Sequence, residues 1–382
     1  MKIKATYGYS GNVDPNQTAV AVASTGLTNP LSNFPVLRIG TPNNPSLRWE
    51  KVSQLDLGIE FSTKSQLLSG SIDYYQKKGT DLFGPAFYDY TTWGASNQIT
   101  ENIADMRGNG IDAMLKSVNI NKSFRWTTNF IFNYNTDKTI KYFSPYLQPI
   151  YSLLTPGRNI TPVVGYPLYA IAAYKWGGLN AAGDPQGYLD GHLSTDYNAI
   201  AAQINKPGSL NSSIIYKGAS NPTFFGALIN EFNWKGFSAS FDISYSLGYY
   251  FRKRSFTSGT LINQGSSPSD YSERWQHPGD ELKTQVPAFV YTDYPQFSSR
   301  DAFYSNAEVN VLNAGNIRLQ YVNLNYTLTG NRRELPFDQI QIYLNASNLG
   351  ILWRANHEHL DPDYPLSPPP PKSFTIGLRA TL

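Results

Sequence analysis

The sequence predicts an all-β fold, an antiparallel transmembrane β-barrel, from three observations. Apolar and polar residues alternate along many segments, short connections alternate with long ones, and only 15% of the 382 residues are charged whereas 14% are aromatic. Soluble domains carry about 25% charged residues, and amphipathic rings such as the 27 tyrosines accumulate at bilayer edges. No window of about 18 apolar residues occurs, so a closed barrel is the remaining way to span lipid.

The clearest element is a β-hairpin within residues 47–82. Its first strand alternates Leu55, Leu57, Ile59 and Phe61 with Gln54, Asp56, Gly58 and Glu60. A polar turn at 62–67 leads to a second strand that holds Leu68, Gly70, Ile72 and Tyr74 on one face. Because successive side chains point to opposite faces of a strand, one face of the hairpin is apolar and the other carries carboxylates and hydroxyls.

The same alternation recurs to the last residue and predicts ten strands. They cover residues 2–9, 54–61, 68–75, 111–116, 124–134, 223–232, 237–247, 322–328, 340–346 and 374–382. A weaker pattern at 163–176 indicates a further strand, and one to three strands are expected within the long connections. The intervening stretches are rich in Asn, Pro, Ser and Gly, which predicts loops at 11–45, 83–100, 135–162, 177–221 and 248–316.

The connection lengths orient the two faces. Connections of roughly four to ten residues alternate with connections of about 18 to 70, and transmembrane barrels likewise have short periplasmic turns and long outer loops. We therefore expect the Leu, Ile and Phe faces to meet lipid and the Gln, Asp, Ser and Asn faces to line a wet lumen. A soluble carbohydrate-binding β-sandwich, the alternative, has shorter strands and no such alternation, and it would stay soluble without detergent.

The composition and the first residues of the chain limit the classes of function that the protein can have. The absence of cysteine excludes disulfides and thiolate chemistry, and a net charge of +3 without a basic run argues against nucleic-acid binding. No Gly-x-Ser-x-Gly elbow occurs, so no hydrolytic triad is indicated and we do not expect an enzyme. Residues 1–7 lack the apolar segment of a secretory signal and alternate as a strand already under way, which predicts a protein that extends upstream.

Two clusters invite a metal-binding interpretation. His357 and His359 would share a face if extended, and with Asp361 they have the chemistry to hold a divalent ion, although a solvated loop beside the last strand explains them equally simply. Asp184 and Asp190 lack the ligand order of an EF-hand. Their Asp-Pro and Gly neighbours favour a turn instead.

Aromatic residues in the predicted outer loops are the candidates for substrate binding. Their rings are suited to stack on sugars or to pack on peptide side chains, and the alternative is that they pack the loops together or against a partner subunit. These residues are Tyr88, Tyr90, Trp93, Trp275, Tyr291 and Tyr294.

Several sequence blocks, in order along the chain, resemble the SusC/RagA-type TonB-dependent transporters of the Bacteroidota outer membrane. The blocks are KIKATYGYSGN (2–12), NPSLRWEKVSQLDLGIEF (44–61), LSGSIDYYQKKGTDL (68–82), RGNGIDAML (107–115), YPLYAIAAYKWGGLNAAGDPQG (166–187), GASNPTFFGAL (218–228), RWQHPGDE (274–281), IRLQYVNLNYTL (317–328), ASNL (346–349) and PPPKSFTIGLRATL (369–382). The chain departs from the family in ending at Leu382 rather than at an aromatic residue, and in having no TonB box.

The resemblance implies that residues 1–382 are the C-terminal part, about half, of a 22-stranded barrel whose N-terminal plug and signal sequence are absent here. It implies TonB-dependent import of oligosaccharides or oligopeptides with a SusD-like surface lipoprotein as a lid, without catalysis and without a cofactor. The expected partners are that lipoprotein, TonB through the missing N-terminal part, the lipid bilayer and lipopolysaccharide. A structural barrel subunit of a larger outer-membrane assembly, without transport activity, is the alternative.

Overall fold

The computed structural model describes residues 1–12, 20–41, 43–87, 98–143, 154, 162–204, 213–329, 338–365 and 367–381. The strands are β1 (Lys2–Asn12), β2 (Val22–Thr28), β3 (Pro35–Thr41), β4 (Glu50–Ser62), β5 (Leu68–Phe87), β6 (Gln98–Asn121), β7 (Phe124–Tyr142), β8 (Ala170–Tyr174), β9 (Gly187–Leu189), β10 (His192–Ser194), β11 (Ile214–Ala219), β12 (Phe224–Trp234), β13 (Phe237–Leu247), β14 (Tyr250–Arg252), β15 (Val311–Asn313), β16 (Asn316–Thr329), β17 (Gln339–Arg354) and β18 (Ser373–Thr381). The helices are α1 (Tyr197–Ile204), α2 (Ser258–Gln264) and α3 (Phe297–Ser305), with 3₁₀ turns at Ser269–Glu273, Asp280–Leu282 and Glu308–Asn310.

Ten long strands form one antiparallel sheet in the order β1-β4-β5-β6-β7-β12-β13-β16-β17-β18. Each of these strands pairs with the next long strand along the chain, which confirms the ten strands predicted from alternation and the barrel type of sheet. Several strands run further than the alternation indicated, since β5 has 20 residues and β6 has 24. A membrane-spanning strand needs only about 9–11 residues, so these strands project well beyond a bilayer.

The short and long connections lie at opposite ends of the sheet, as predicted. The ends of β4, β6, β12 and β16 that lead into short connections lie at one edge of the sheet, and the ends of β1, β5, β7, β13 and β17 that lead into long ones lie at the other. Lys235 and Gly236 both have positive φ, 43° and 86°, as a tight two-residue hairpin turn requires.

The predicted loops hold more structure than expected. Residues 11–45 contain the β2–β3 hairpin, and residues 83–87 and 98–100 of the loop expected at 83–100 belong to β5 and β6. The strand indicated at 163–176 is reduced to β8, which pairs with β11 outside the main sheet. Alternation did not reveal these segments because it arises where one face of a strand meets lipid and the other meets water.

The two faces of the sheet differ as expected. On β18, the outward residues Phe374, Ile376 and Leu378 are 67%, 78% and 68% exposed, and the intervening Thr375 points to the opposite, polar face. The largest cluster of buried apolar residues lies in the long connections rather than on the sheet: Leu154, Ala172, Tyr174, Tyr197, Ile200, Ile214, Phe303 and Ala307. The apolar rows therefore face outward and do not form a closed protein interior.

The helices of the described segments are short, and the longest, α3, has nine residues. None is both long enough and apolar enough to cross a membrane.

Candidate functional site

The connections after β7 and β13 pack on each other at one end of the sheet. We call residues 162–204, 213–222 and 248–315 the loop layer. Its centre is apolar, and the ring of Phe303 packs between Tyr174 and Tyr197 with centroid distances of 4.9 and 5.3 Å. Because these rings come from both connections, the layer is one packed unit above the sheet.

A buried ion pair joins the two connections of the loop layer. Arg300 is 1% exposed, and its Nε donates to Oδ1 of Asp184 at 2.8 Å. Its Nη2 donates to the backbone oxygens of Gly183 and Ala288 at 3.1 and 3.0 Å. A buried charge needs such pairing and hydrogen bonding to be tolerated. Asp184 therefore lies in a structural turn, as the Asp-Pro motif predicted.

Tyr294 belongs to this ion pair rather than to an open surface. Its hydroxyl donates to the second carboxylate oxygen of Asp184 at 2.7 Å, and the Arg300 guanidinium lies 5.7 Å from its ring centroid. Burial, together with the hydrogen bond to Asp184, raises the pKa of Tyr294. The hydroxyl consequently stays protonated and donates at physiological pH.

Trp275 packs on the same turn, against Gly183. A Cβ added to Gly183, whose φ is +77°, would lie 2.6 Å from the indole ring. The Trp275 Nε1 donates to Glu281 at 3.0 Å, and that bond, followed by backbone N–H groups, lowers the pKa of Glu281. Only glycine at position 183 lets the ring approach this closely.

Among the three predicted substrate-binding aromatics that the structure describes, one is largely open to solvent. Tyr291 is 70% exposed and packs edge-to-face on Phe289 with centroids 4.9 Å apart. Trp275 and Tyr294 hold the loop layer together, as the alternative interpretation expected. Tyr88, Tyr90 and Trp93 lie outside the described residues, and substrate contact by any of the six stays a prediction.

The predicted metal ligands lie beside a crevice of about 690 Å³ between β16, β17 and the connection to β18, and His359 and Asp361 line it. The Asp361 carboxylate binds both terminal nitrogens of Arg318, one at 2.9 Å. Burial opposes its charge, but the Arg318 bonds and the Asp363 N–H outweigh this and lower the Asp361 pKa. Within the described ranges no three His, Cys, Asp or Glu side chains are grouped to hold a metal. Metal binding by His357, His359 and Asp361 stays a prediction.

The polar face of the sheet includes an uncharged hollow of about 400 Å³. Four of its lining residues are direct cross-strand neighbours on β13, β16, β17 and β18, namely Ser240, Asn323, Asn345 and Thr375. The Asn323 Nδ2 donates to Ser240 at 3.2 Å. Amide and hydroxyl groups both donate and accept, so this row can bond sugar hydroxyls or peptide groups. The alternation identified the polar face but not this row, which requires the register.

Three comparisons with known proteins agree with this architecture. The family model described as TonB dependent receptor-like, beta-barrel matches residues 4–207. TonB-dependent receptor P3 of Formosa agariphila is 25% identical over 365 residues, covering 91% of this chain and 34% of that protein. TonB-dependent receptor SusC of Bacteroides thetaiotaomicron is 25% identical over 218 residues, 54% of this chain and 20% of its own length.

Among solved structures, the RagAB peptide transporter shares the fold. It superposes with a TM-score of 0.75 at 22% identity, over 99% of this chain and 40% of that chain. The 'open-open' state of the RagAB peptide importer gives a TM-score of 0.70. The chain thus spans 34% of the length of TonB-dependent receptor P3 and 40% of the length of the RagAB chain.

Proposed function

Because this chain belongs to the TonB-dependent receptor-like β-barrel family, a family of the outer membrane, we propose that it forms part of the wall and mouth of a nutrient importer. The proposed cargo is an oligosaccharide or an oligopeptide. TonB supplies the energy, and a SusD-like surface lipoprotein cooperates at the mouth. The protein performs no covalent chemistry on the cargo in this proposal.

The observation that carries the proposal is the polar wall. Ser240, Asn323, Asn345 and Thr375 present amides and hydroxyls to the side opposite the lipid-facing rows. Neutral groups that both donate and accept bind polar, uncharged cargo without strongly trapping it, since neutral hydrogen bonds exchanged against water contribute only about 0.5–1.5 kcal/mol each. Such a wall suits passage of a chain of sugars or amino acids.

The loop layer supports the proposed role of the mouth. The buried Asp184–Arg300 pair and the aromatic centre give it a fixed shape, and a rigid surface loses less entropy when it binds. Large apolar side chains remain exposed on it, including Leu193, Leu282 and Tyr291 at 53%, 88% and 70%. These side chains are available to a lipoprotein partner or to cargo.

The choice between peptide and glycan requires a direct measurement. RagAB, which shares the fold with this chain at 22% identity, is a peptide transporter, so oligopeptides are one of the two cargo classes to be tested. Uptake of labelled oligopeptides and labelled oligosaccharides should be compared in cells that produce the full-length protein and in cells that lack its gene. We expect one of the two cargo classes to depend on the gene.

Variants of the wall then test the mechanism. Replacing Asn323 and Asn345 with Leu removes two amides from the row and should lower uptake, whereas Leu324→Ile, on the outward face of the same strand, should leave it unchanged. If deletion of the gene changes uptake of neither cargo class, the importer proposal is wrong. The structural subunit without transport activity would then be favoured.

A further inference from the structure

Three cations lie side by side on three neighbouring strands. Lys78 on β5 pairs directly with Arg107 on β6, and Arg107 pairs directly with Lys138 on β7. We call Lys78, Arg107 and Lys138 the cation row. Directly opposed Cβ atoms in an antiparallel sheet are about 4.5–5.5 Å apart, and like charges at that spacing destabilise the sheet.

The cation row faces away from the lumen. The pairing of β5, β6 and β7 is regular from the outward residues Tyr74, Ile111 and Tyr134 up to this row. Lys78, Arg107 and Lys138 are each four residues from one of these three, an even number, so they share the outward face. All three cations are exposed.

The height of the row places it at the outer bilayer surface. Four residues along a strand span about 13 Å, and the direction from Tyr74, Ile111 and Tyr134 to the cations leads toward the long connections. Long connections lie on the outer side of such barrels, and aromatic girdles mark the bilayer edges. The cations therefore lie just beyond the aromatic level, on the side of the head groups of the outer leaflet.

The cations have no carboxylate partner in the part of the chain that the structure describes. The ion pairs found within 4.0 Å there include none of Lys78, Arg107 and Lys138. A hollow of about 220 Å³ lies between Arg107 and Lys138, lined also by Asn109, Thr136 and Asp137. The Asp137 carboxylate accepts a hydrogen bond at 2.8 Å from the Leu168 N–H.

A neighbouring cation on the same face shows the contrast. The Lys51 ammonium lies 4.5 Å from the ring centroid of Tyr9, so the protein itself supplies a partner for that charge. The cation row has no such ring contact among the cation–π pairs of the described residues. The repulsion between its adjacent charges would be relieved by an external anion.

We propose that the cation row binds the phosphate groups of lipopolysaccharide in the outer leaflet. Arg107 provides the planar fork that bonds two phosphate oxygens, and the flanking lysines add point charges. The aromatic and aliphatic residues below the row would contact the acyl chains of the same molecule. The proposal concerns the membrane-facing surface and does not depend on the cargo or on transport activity.

The test measures lipid that stays with the protein. The full-length protein and the triple variant Lys78→Ala, Arg107→Ala, Lys138→Ala are purified in detergent from outer membranes, and bound phosphorylated lipid A per protein is quantified by mass spectrometry. We expect the triple variant to retain less by roughly tenfold or more, given three cations at a membrane surface. Lys116→Ala, which removes a charge from the opposite face of β6, should retain the normal amount.

A second measurement needs no variant. The unaltered protein is incubated with vesicles that contain lipid A, either phosphorylated or treated with a phosphatase, and the retained lipid is compared. Retention of the phosphorylated form alone supports the proposal. Equal retention of both forms, or normal retention by a triple variant whose far-UV circular dichroism is unchanged, overturns it, whether or not the protein transports cargo.

Discussion

Tyr245 lies directly opposite Gly226 in the sheet, and its hydroxyl extends over that glycine to donate to the backbone oxygen of Ile131 at 3.0 Å. A Cβ on Gly226 would lie 2.6 Å from the Tyr245 hydroxyl and even closer to the Ile131 oxygen. Tyr75 with Gly110, and Tyr343 with Gly377, repeat the arrangement as direct cross-strand pairs. Part of the high tyrosine content is thus explained by rings that cover glycines on neighbouring strands.

Gly226→Ala should impair assembly of the sheet. The added methyl group collides with backbone of β7, and overpacking of this kind costs about 1–3 kcal/mol. We expect less folded protein in the outer membrane. In detergent gels of samples heated to increasing temperatures, the compact folded species should disappear at a lower temperature than it does for the unaltered protein. Gly8→Ala is the control, because a Cβ there meets no atom within 4 Å. Equal behaviour of the two variants would contradict this account.

Removing one partner of the buried ion pair should loosen the loop layer. Asp184→Asn or Arg300→Met leaves an uncompensated buried group, and the loss of stability in such cases is typically about 3–5 kcal/mol. Hydrogen exchange should rise in 162–204 and 248–315 while the wall strands stay protected. The pair of Lys283 with Asp280 at the surface provides the control, since exposed ion pairs contribute little to stability and Lys283→Ala should leave hydrogen exchange in the loop layer unchanged.

Two aromatic substitutions should separate packing from ligand contact. Trp275→Ala removes a ring that packs on Gly183 and should destabilise the loop layer by about 1–3 kcal/mol. Tyr291→Ala removes a mostly exposed ring and should weaken cargo binding without raising hydrogen exchange in the layer. Calorimetric binding of the proposed cargo and hydrogen exchange, measured on both variants, check the two effects. A Tyr291 variant with normal affinity would remove this residue from the set of substrate contacts.

The orientation of the two faces can be tested on adjacent residues of β18. Ile376→Arg places a charge among the lipid-facing rows, where it costs about 2–4 kcal/mol near the bilayer midplane. Thr375→Arg places the same charge in the polar hollow, and we expect it to be tolerated. The amount of folded protein in the outer membrane distinguishes the variants. The orientation would be wrong if Thr375→Arg were the more damaging.

The pair of Arg318 and Asp361 should make the connection to β18 sensitive to acid. The folded-state pKa of Asp361 is lowered. The ionised carboxylate therefore contributes fully to the stability of the connection above the ordinary pKa near 3.9. It is lost as the pH falls from there through the lowered folded-state pKa. Proteolysis of 355–372 should therefore accelerate in that acidic window. Asp361→Asn should show faster proteolysis already at neutral pH and little further change on acidification.

The wall could be predicted from sequence because lipid on one side and water on the other impose alternation. β13 is the clearest case, with Phe241, Ile243 and Tyr245 on the outward face and no interruption. The start of β6 at Gln98 could not be predicted, because a strand beyond the bilayer meets water on both faces and loses the pattern. Strand ends therefore follow from pairing partners rather than from local composition.

The candidate site was less predictable from sequence, because its residues find their partners far along the chain. Asp184 and Arg300 are 116 residues apart, and the sequence marks the Asp-Pro turn without indicating which cation reaches it. Tyr294 is predicted to contact substrate from its residue type and its place in a long connection, and neither feature indicates that its hydroxyl bonds Asp184. Long-range partners of this kind become visible only when the fold brings the connections together.

The separation of short and long connections onto opposite ends of the sheet has an evolutionary consequence. Insertions and substitutions in the long connections can alter the exterior without disturbing the pairing of a single wall strand. Selection for new contacts can then act on one rim of the molecule, while the constraints of membrane assembly preserve the other.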